Sequence, residues 1–473
     1  VIRINNLLFL NARTLYIGEF GPNSDIRITQ NLLQGVTSGT SADHQGILVD
    51  NVGSSAGEVR IWNNIVYDFS VNNAEGIRIN NTNVTAYLYN NTVYNCLLGI
   101  QASAGTVVAK NCIAQACTDG FNGTFDAGSD YNISDLAADA PGSNSRNSTT
   151  VTFVSTAGLD FHLGTTDTAA RDAGADLSAD AGLAFAEDID RDARPYNGTW
   201  DIGADEAGAA ATPTFTPTRT PTWTPTHTPT STSTPTATPT PTSTPVTPTV
   251  IYRSVGPGNT SALATGSGND LAIAGSTATF DTALPDNVGV GDVIQYDSDN
   301  DGTVDRLAFI HGRISGSQFT VADVVGGAPV ATAVADQDWS LFRAYTSLEN
   351  AVVLTENTGI DAALRDFDVG DSGSGMDLPA NNAVWHITCY AGNEDAADFN
   401  GVEIGHYGWR TTPTNYLRLY TPYQSSEVGT SQRHNGVWTT SGYRLVGPNM
   451  HAVTLGSVNT EGFRVEGLQI RIN

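Results

Sequence analysis

The run Asp297-Ser298-Asp299-Asn300-Asp301-Gly302-Thr303-Val304-Asp305 sets carboxylates at positions 1, 3, 5 and 9, with glycine at position 6. That spacing wraps hard oxygen ligands around Ca²⁺, and Thr303 at position 7 would offer its backbone carbonyl. The bidentate glutamate of an EF-hand is missing, because Ala308 stands at position 12. Four carboxylates this close repel one another unless a cation lies between them. The loop is therefore a structural Ca²⁺ site or a solvated acidic turn. Its flanks, Gly291–Tyr296 and Arg306–Ile310, have the β-branched and aromatic content of two hairpin strands. Asp188–Asp192 forms a second acidic cluster with a weaker claim on an ion.

Candidates for catalysis are Arg433 with His434 in a polar loop, Asp43 with His44, and His406 near Trp409. None belongs to a recognisable signature, and the paired carboxylates or metal-plus-base sets of polysaccharide cleavage are not evident. The reading is that the chain is not an enzyme. Trp62, Tyr67, Tyr89 and Tyr94 fall on neighbouring repeats, as a glycan-binding aromatic platform or as ordinary packing between repeats.

The elements that would carry these residues come from an internal repeat. Asp25–Gly35, Glu58–Asp68, Thr85–Asn95 and Thr106–Ala116 align, each alternating apolar and polar residues before a turn at Asn or Gln. A Gly-apolar signal follows each one, at Gly46-Ile47, Gly76-Ile77, Gly99-Ile100 and Gly120-Phe121. The repeats start 33, 27 and 21 residues apart, the variable period of a solenoid with insertions between short strands. Gln30, Asn63, Asn90 and Asn111 share one column, where Asn tolerates the left-handed conformation of a sharp turn and its amides bond along a ladder. Cys96 and Cys117 share another column, as a disulfide or as stacked free thiols. Cys112 and Cys389 have no evident partner. Ser347 with nearby Glu349 predicts a short capped helix.

Half-repeats recur at Tyr443–Val446, His451–Leu455 and Phe463–Ile470. Read in the order 250–473 and then 1–206, the chain makes one complete solenoid, with Thr14–Ile17 supplying the strand before Asp25. This predicts assembly ends at Val1, Ile2 and Arg3 and at Ile470, Arg471, Ile472 and Asn473. There, bare strand edges of one copy would pair with the next copy to give a head-to-tail homopolymer.

The net charge is −27, with 22 basic against 49 acidic residues, so nucleic acid and anionic membranes are poor partners. No apolar run is long enough to span a membrane, and few lysines among many Asn, Thr and Gly suit an extracellular or cell-surface β protein. Residues 212–249 are Thr-Pro repeats, expected in polyproline II and typical of O-glycosylated stalks, or else a bare spacer. Candidate O-glycan acceptors are Thr212, Thr214, Thr216, Thr218, Thr220, Thr222, Thr224, Thr226, Thr228 and Thr230. Asn83 and Asn122 are the leading sequons; Asn80, Asn90, Asn132, Asn147, Asn197 and Asn259 also fit the pattern.

One stretch carries a family likeness. Asp188, Arg194-Pro195, Gly198 and Asp201-Ile202-Gly203-Ala204 with Glu206 resemble the terminal motif of bacterial secreted right-handed parallel β-helix proteins of the choice-of-anchor type. Tyr345–Val352, Ser431–Gly436, Gly442–Val446 and Val465–Ile470 resemble the N-terminal part of such proteins. The likeness implies an all-β chain with a right-handed parallel β-helix in two sequence halves. Residues 1–206 would be its second half with a closing segment, 207–249 a linker, 250–340 a small β domain with the calcium loop, and 341–473 its first half. The function expected from the sequence is an extracellular fibril protomer. The alternative is a surface protein that binds or degrades polysaccharide.

Overall fold

The computed structural model describes residues 12–19, 23–37, 44–52, 56–71, 73–196, 198–208, 247–370, 375–393, 396–399, 401–447, 452–455 and 459–472. Two long, wholly parallel sheets dominate, one of 13 strands and one of 7. A separate 7-stranded antiparallel sheet is built from residues 264–342. Alternation places the β-branched and aromatic residues inward. Ile26, Ile28, Val59, Ile61, Ala86 and Leu88 are all fully or almost fully buried on successive strands.

The repeat alignment holds at single-residue resolution. Ser24–Thr29, Gly57–Trp62 and the second half of Glu75–Tyr89 lie side by side in the first sheet, pairing Ile28 with Ile61 and Ile61 with Leu88. After a sharp turn, Leu32–Gln34, Ile65–Tyr67, Thr92–Tyr94 and Ile113–Gln115 lie side by side in the second. The turns occur at Gln30, Asn63, Asn90 and Asn111, with φ of 56°, 52°, 50° and 53°. The Gly-apolar signals start a third strip, where Ile47 pairs with Ile77 and Ile77 with Ile100. Glycine is required there: a Cβ on Gly46 would sit 2.5 Å from the Gly76 carbonyl oxygen, and one on Gly76 would sit 2.7 Å from that of Gly99.

The two sequence halves meet inside the chain. Gly462–Glu466 pairs with Ser24–Thr29, Gln469–Ile472 with Leu32–Gln34, and Val453–Leu455 with Ala12–Glu19. One core runs through this seam, joining Phe463, Val465 and Ile470 to Ile26, Ile28 and Leu33. Bare edges were expected at Ile470, Arg471 and Ile472. Their strand instead lies between Arg444–Gly447 and Leu32–Gln34, because residues 24–34 of the same chain satisfy its backbone groups. Val1, Ile2, Arg3 and Asn473 lie outside the described residues. The small β domain also begins later than position 250. Thr249–Val255 is the outermost strand of the first parallel sheet, paired with Ala383–Cys389.

The capped helix forms at Leu348–Val352, where the Ser347 side chain accepts from the Asn350 N–H. All four cysteines are free and buried. Cys96 and Cys117 stand as stacked thiols, and burial pushes the Cys96 thiol up.

Candidate functional site

The strands Val293–Tyr296 and Arg306–Arg313 form the expected antiparallel hairpin, and the acidic loop joins them. Asp297 is buried at its base. One of its carboxylate oxygens accepts from the N–H groups of Asp299 and Asn300, and the other from Gly302. Burial opposes ionisation of Asp297, but these N–H bonds outweigh it and hold the carboxyl below its ordinary range. Carboxylate oxygens of Asp297, Asp299 and Asp301 lie within 4.8 Å of one another. The charge of Asp301, then burial, then the charge of Asp297 push the Asp299 carboxyl up. Asp305 does not join this triad. Its oxygens accept from the N–H and hydroxyl of Ser298, and Arg306 pairs with it.

The weaker acidic cluster gains a member that sequence spacing did not suggest. His162 Nδ1 lies 2.5 Å from Asp160 and Nε2 2.7 Å from Asp190, with Asp205 completing a group of possible ligands. Burial alone would lower the His162 pKa, but Asp190 and Asp205 overcome it and raise it to about 10. Asp188 is fully buried and accepts from Asp190, Asp192 and Glu206. Burial raises it to about 8 despite the nearby Arg194. His162 is remote in sequence from Asp188–Asp192, so only the return of the Asp160–Leu163 strand brings them together.

Residues 170–206 run along the outside of the turns. Gln30 donates to the Asp188 carbonyl, Asn63 to Glu187, Asn90 to Asp201 and Gly203, and Asn111 to Ala175. The turn column thus binds the closing segment side-on, besides supplying the left-handed turns. Arg194, fully buried, bonds Glu206 and the carbonyls of Asp201, Gly203 and Ala204. Gly203 (φ 101°) must lack a side chain, since a Cβ would meet Ile113 at 2.5 Å. The continuous amide ladder lies one residue further on, through buried Asn31, Asn64 and Asn91.

The other candidates resolve into structural roles. Arg433 is held by Gln30 and Thr421, and buried His434 donates from Nε2 to the Gln30 carbonyl while Gly436 N–H bonds its Nδ1. Both were expected in a polar loop; they sit at the seam, because that loop folds against the Gln30 turn. Trp409 is buried and donates to Val352. His44 opens the strand His44–Val52, and His406 lies in the 3₁₀ turn Ile404–Tyr407. Asp43 lies outside the described residues. Trp62 and Tyr89 occupy one column of the first sheet, while Tyr67 and Tyr94 occupy one of the second. They make no shared platform. Phe185 packs at a tilt beside Trp62, ring centres 6.3 Å apart, and Phe161 packs against Tyr67 and Tyr94.

Asn83 is exposed, whereas Asn122 is half-buried and bonded to Gln101 and Asp119. Asn90 and Asn132 are wholly buried, so glycans do not fit there in the fold. Asn197 and the threonines Thr212–Thr230 lie outside the described residues. No helix of the described residues is long and apolar enough to cross a membrane. No family model, curated protein or solved structure matches the chain.

Proposed function

We propose that this chain is an extracellular structural protomer, a right-handed parallel β-helix that assembles head to tail by making its seam between copies. The observation that carries this reading is the register at the seam, Asp25 opposite Gly462 through Thr29 opposite Glu466. It joins two halves separated in sequence by the Thr-Pro tract. The two faces of the seam differ, so the same contact made between chains repeats without closing and yields a filament. Such an exchange leaves the number of seams per chain unchanged, so the tether and the protein concentration decide between the closed and open forms.

The lengths allow either form. The closing segment binds beside Asn90, six strands along the first sheet from Thr249–Val255. At about 4.8 Å per strand that is roughly 29 Å. A 38-residue Thr-Pro tract in polyproline II reaches about 120 Å. O-glycans on Thr212–Thr230 that stiffen the tract would penalise folding it back on itself. In this reading Ca²⁺ is a structural ion held by Asp297, Asp299 and Asp301 with the Thr303 carbonyl, relieving the carboxylate repulsion of the loop.

Cysteine pairing across the seam tests the assembly. Gln34 lies directly opposite Arg471, and neighbouring parallel strands are within disulfide reach. Q34C and R471C proteins are unfolded, mixed, refolded at high concentration and oxidised. Covalent Q34C–R471C dimers, with filaments by electron microscopy, are the expected result. If the mixture yields no mixed disulfide while the double variant closes within one chain, the polymer reading is wrong.

A further inference from the structure

Four arginines stand in direct register on the outer face of the first sheet. Arg418 lies opposite Arg464, Arg464 opposite Arg27, and Arg27 opposite Arg60. Like charges directly opposite one another destabilise a sheet, and at about 4.8 Å per strand this is the closest spacing that a ladder allows. The clustering is unexpected in a chain of net charge −27 with only 22 basic residues. Repetition does not account for it, since the next strands outward carry His386 and Tyr87 at the same position.

Partners offset only part of this charge. Asp25 serves three of the arginines, at 3.0 Å from Arg27, 2.6 Å from Arg60 and 3.5 Å from Arg464. Glu466 pairs with Arg418. A groove of about 460 Å³ runs beside the column, walled by Arg27, Arg418, Arg464 and Arg191, with Trp62 and Tyr416 on its flanks. Against these four cations stand three carboxylates, Glu187 paired with Arg191, Glu466 with Arg418, and Asp25 shared by Arg27 and Arg464. The guanidinium groups are held flat over rings: Arg464 over Tyr416 at 4.0 Å, Arg418 over Tyr420 at 3.8 Å, and Arg191 over Tyr423 at 3.9 Å. Stacking fixes each plane and leaves the N–H edge for an acceptor. Nε of Arg418 is buried without a hydrogen-bond acceptor, and Nη1 of Arg464 reaches only the Asp25 carboxylate at 3.5 Å. Beneath them, burial and then the charge of Arg191 lower Arg433 to about 10, whereas at Arg418 burial is outweighed by Glu466, which holds it above its ordinary range.

We infer that this groove is a binding site for a short acidic oligosaccharide, its carboxylates bonded along the Arg418–Arg464–Arg27 column and its rings against Trp62 and Tyr416. Planar guanidinium forks match carboxylates, and the volume suits a ligand of a few rings. The acidic surface elsewhere repels a long polyanion, which confines the ligand to the groove's length. Arg418 and Arg464 come from one side of the seam and Arg27 and Arg60 from the other, so the bound ligand would clamp the seam shut. This site is independent of whether the seam forms within a chain or between chains.

The test is calorimetric titration of the full chain with trigalacturonate, its methyl ester, triglutamate and sulfate. Saturable trigalacturonate binding is expected, at least about tenfold tighter than that of the methyl ester or triglutamate. It should weaken with salt and raise the midpoint of thermal unfolding. R27Q, at the most exposed position of the column, should weaken binding about tenfold, while R306Q, far from the groove, should not. Absence of trigalacturonate binding, equal binding of the ester, or tighter binding of triglutamate or sulfate would each overturn the inference. The ligand comparisons need no variant, so they decide the matter even if R27Q fails to fold.

Discussion

Replacing Asn64 by alanine should open the centre of the stack. The Asn64 amide is fully buried. Its oxygen accepts from the N–H and the side chain of Asn31, and its nitrogen donates to Asn91 and to the carbonyls of Ile28 and Trp62. Alanine leaves the Asn31 N–H without this acceptor, at a cost of about 1–3 kcal/mol. The other four bonds, to the Asn31 side chain, Asn91, Ile28 and Trp62, are partly compensated and together add about 1–2 kcal/mol. The sum, about 3 kcal/mol, is a little over a hundredfold in the local opening constant. Native-state hydrogen exchange followed by mass spectrometry reads this directly. Protection should fall by that factor in residues 24–34 and 84–94, and across the seam in 462–472, because Asn31 also accepts from Leu468 and donates to Val465. N63A is the matched control. It loses the bond to the Glu187 carbonyl and strains a turn with φ of 52°, so its effect should concentrate in residues 170–206. A change under about 1 kcal/mol for N64A, or loss confined to the closing segment, would refute the ladder as a continuous support.

Acid should loosen the seam. Burial and then Arg433 lower the His434 pKa to about 4. A base depressed in the fold contributes stability that is present above its unfolded pKa, near 6.5, and is lost as pH falls toward 4, up to about 3 kcal/mol. Seam exchange should accelerate over that interval, and H434Q should flatten the dependence. The closing segment should respond in the opposite sense. Asp188 is raised to about 8 and His162 to about 10, so the folded state holds protons that the unfolded chain releases, and protection of residues 160–206 should decline from about pH 4 to pH 10. D188N should remove the part below about pH 8. D368N should cost about 3–5 kcal/mol in urea unfolding, because Arg253, wholly buried, loses its bidentate partner at 2.6 and 2.7 Å. A cost below about 1 kcal/mol would show that the Val324 and Tyr252 carbonyls suffice for it. Chelation with EGTA should lower the melting temperature of the antiparallel sheet, and D299N should abolish that difference; an unchanged melting curve removes Ca²⁺ from the loop.

Much of the architecture was legible in the chain because strand periodicity and turn chemistry are local. The alternation in Glu58–Trp62 and Thr85–Tyr89 set inward and outward faces, and Gln30, Asn63, Asn90 and Asn111 marked the left-handed turns. The hairpin around the acidic loop and the Ser347 cap were legible for the same reason. That Asp305 bonds Ser298 and stands apart from the Asp297, Asp299 and Asp301 group was not legible, because ligand spacing says nothing of a competing hydroxyl. The burial of Arg433 and His434 was not legible, because burial depends on what folds over a loop. The expected column bonds amide to amide at Asn111 and Asn90, but the longer ladder runs one residue on, through Asn31, Asn64 and Asn91, since both Asn63 and Asn64 fit the pattern and only the turn decides which side chain faces in.

By itself, then, the sequence determined strands, turns, the antiparallel hairpin and the likeness between residues 462–472 and 25–35. The tertiary structure alone decided which copies of that likeness become neighbours. It paired the Gln469–Ile472 strand with Leu32–Gln34, drew His162 to Asp190, and aligned Arg418, Arg464, Arg27 and Arg60 from positions as far apart as 27 and 464. The reason is physical. Periodicity is written over a few residues, whereas register between strands is set by shared burial and backbone pairing across the whole chain.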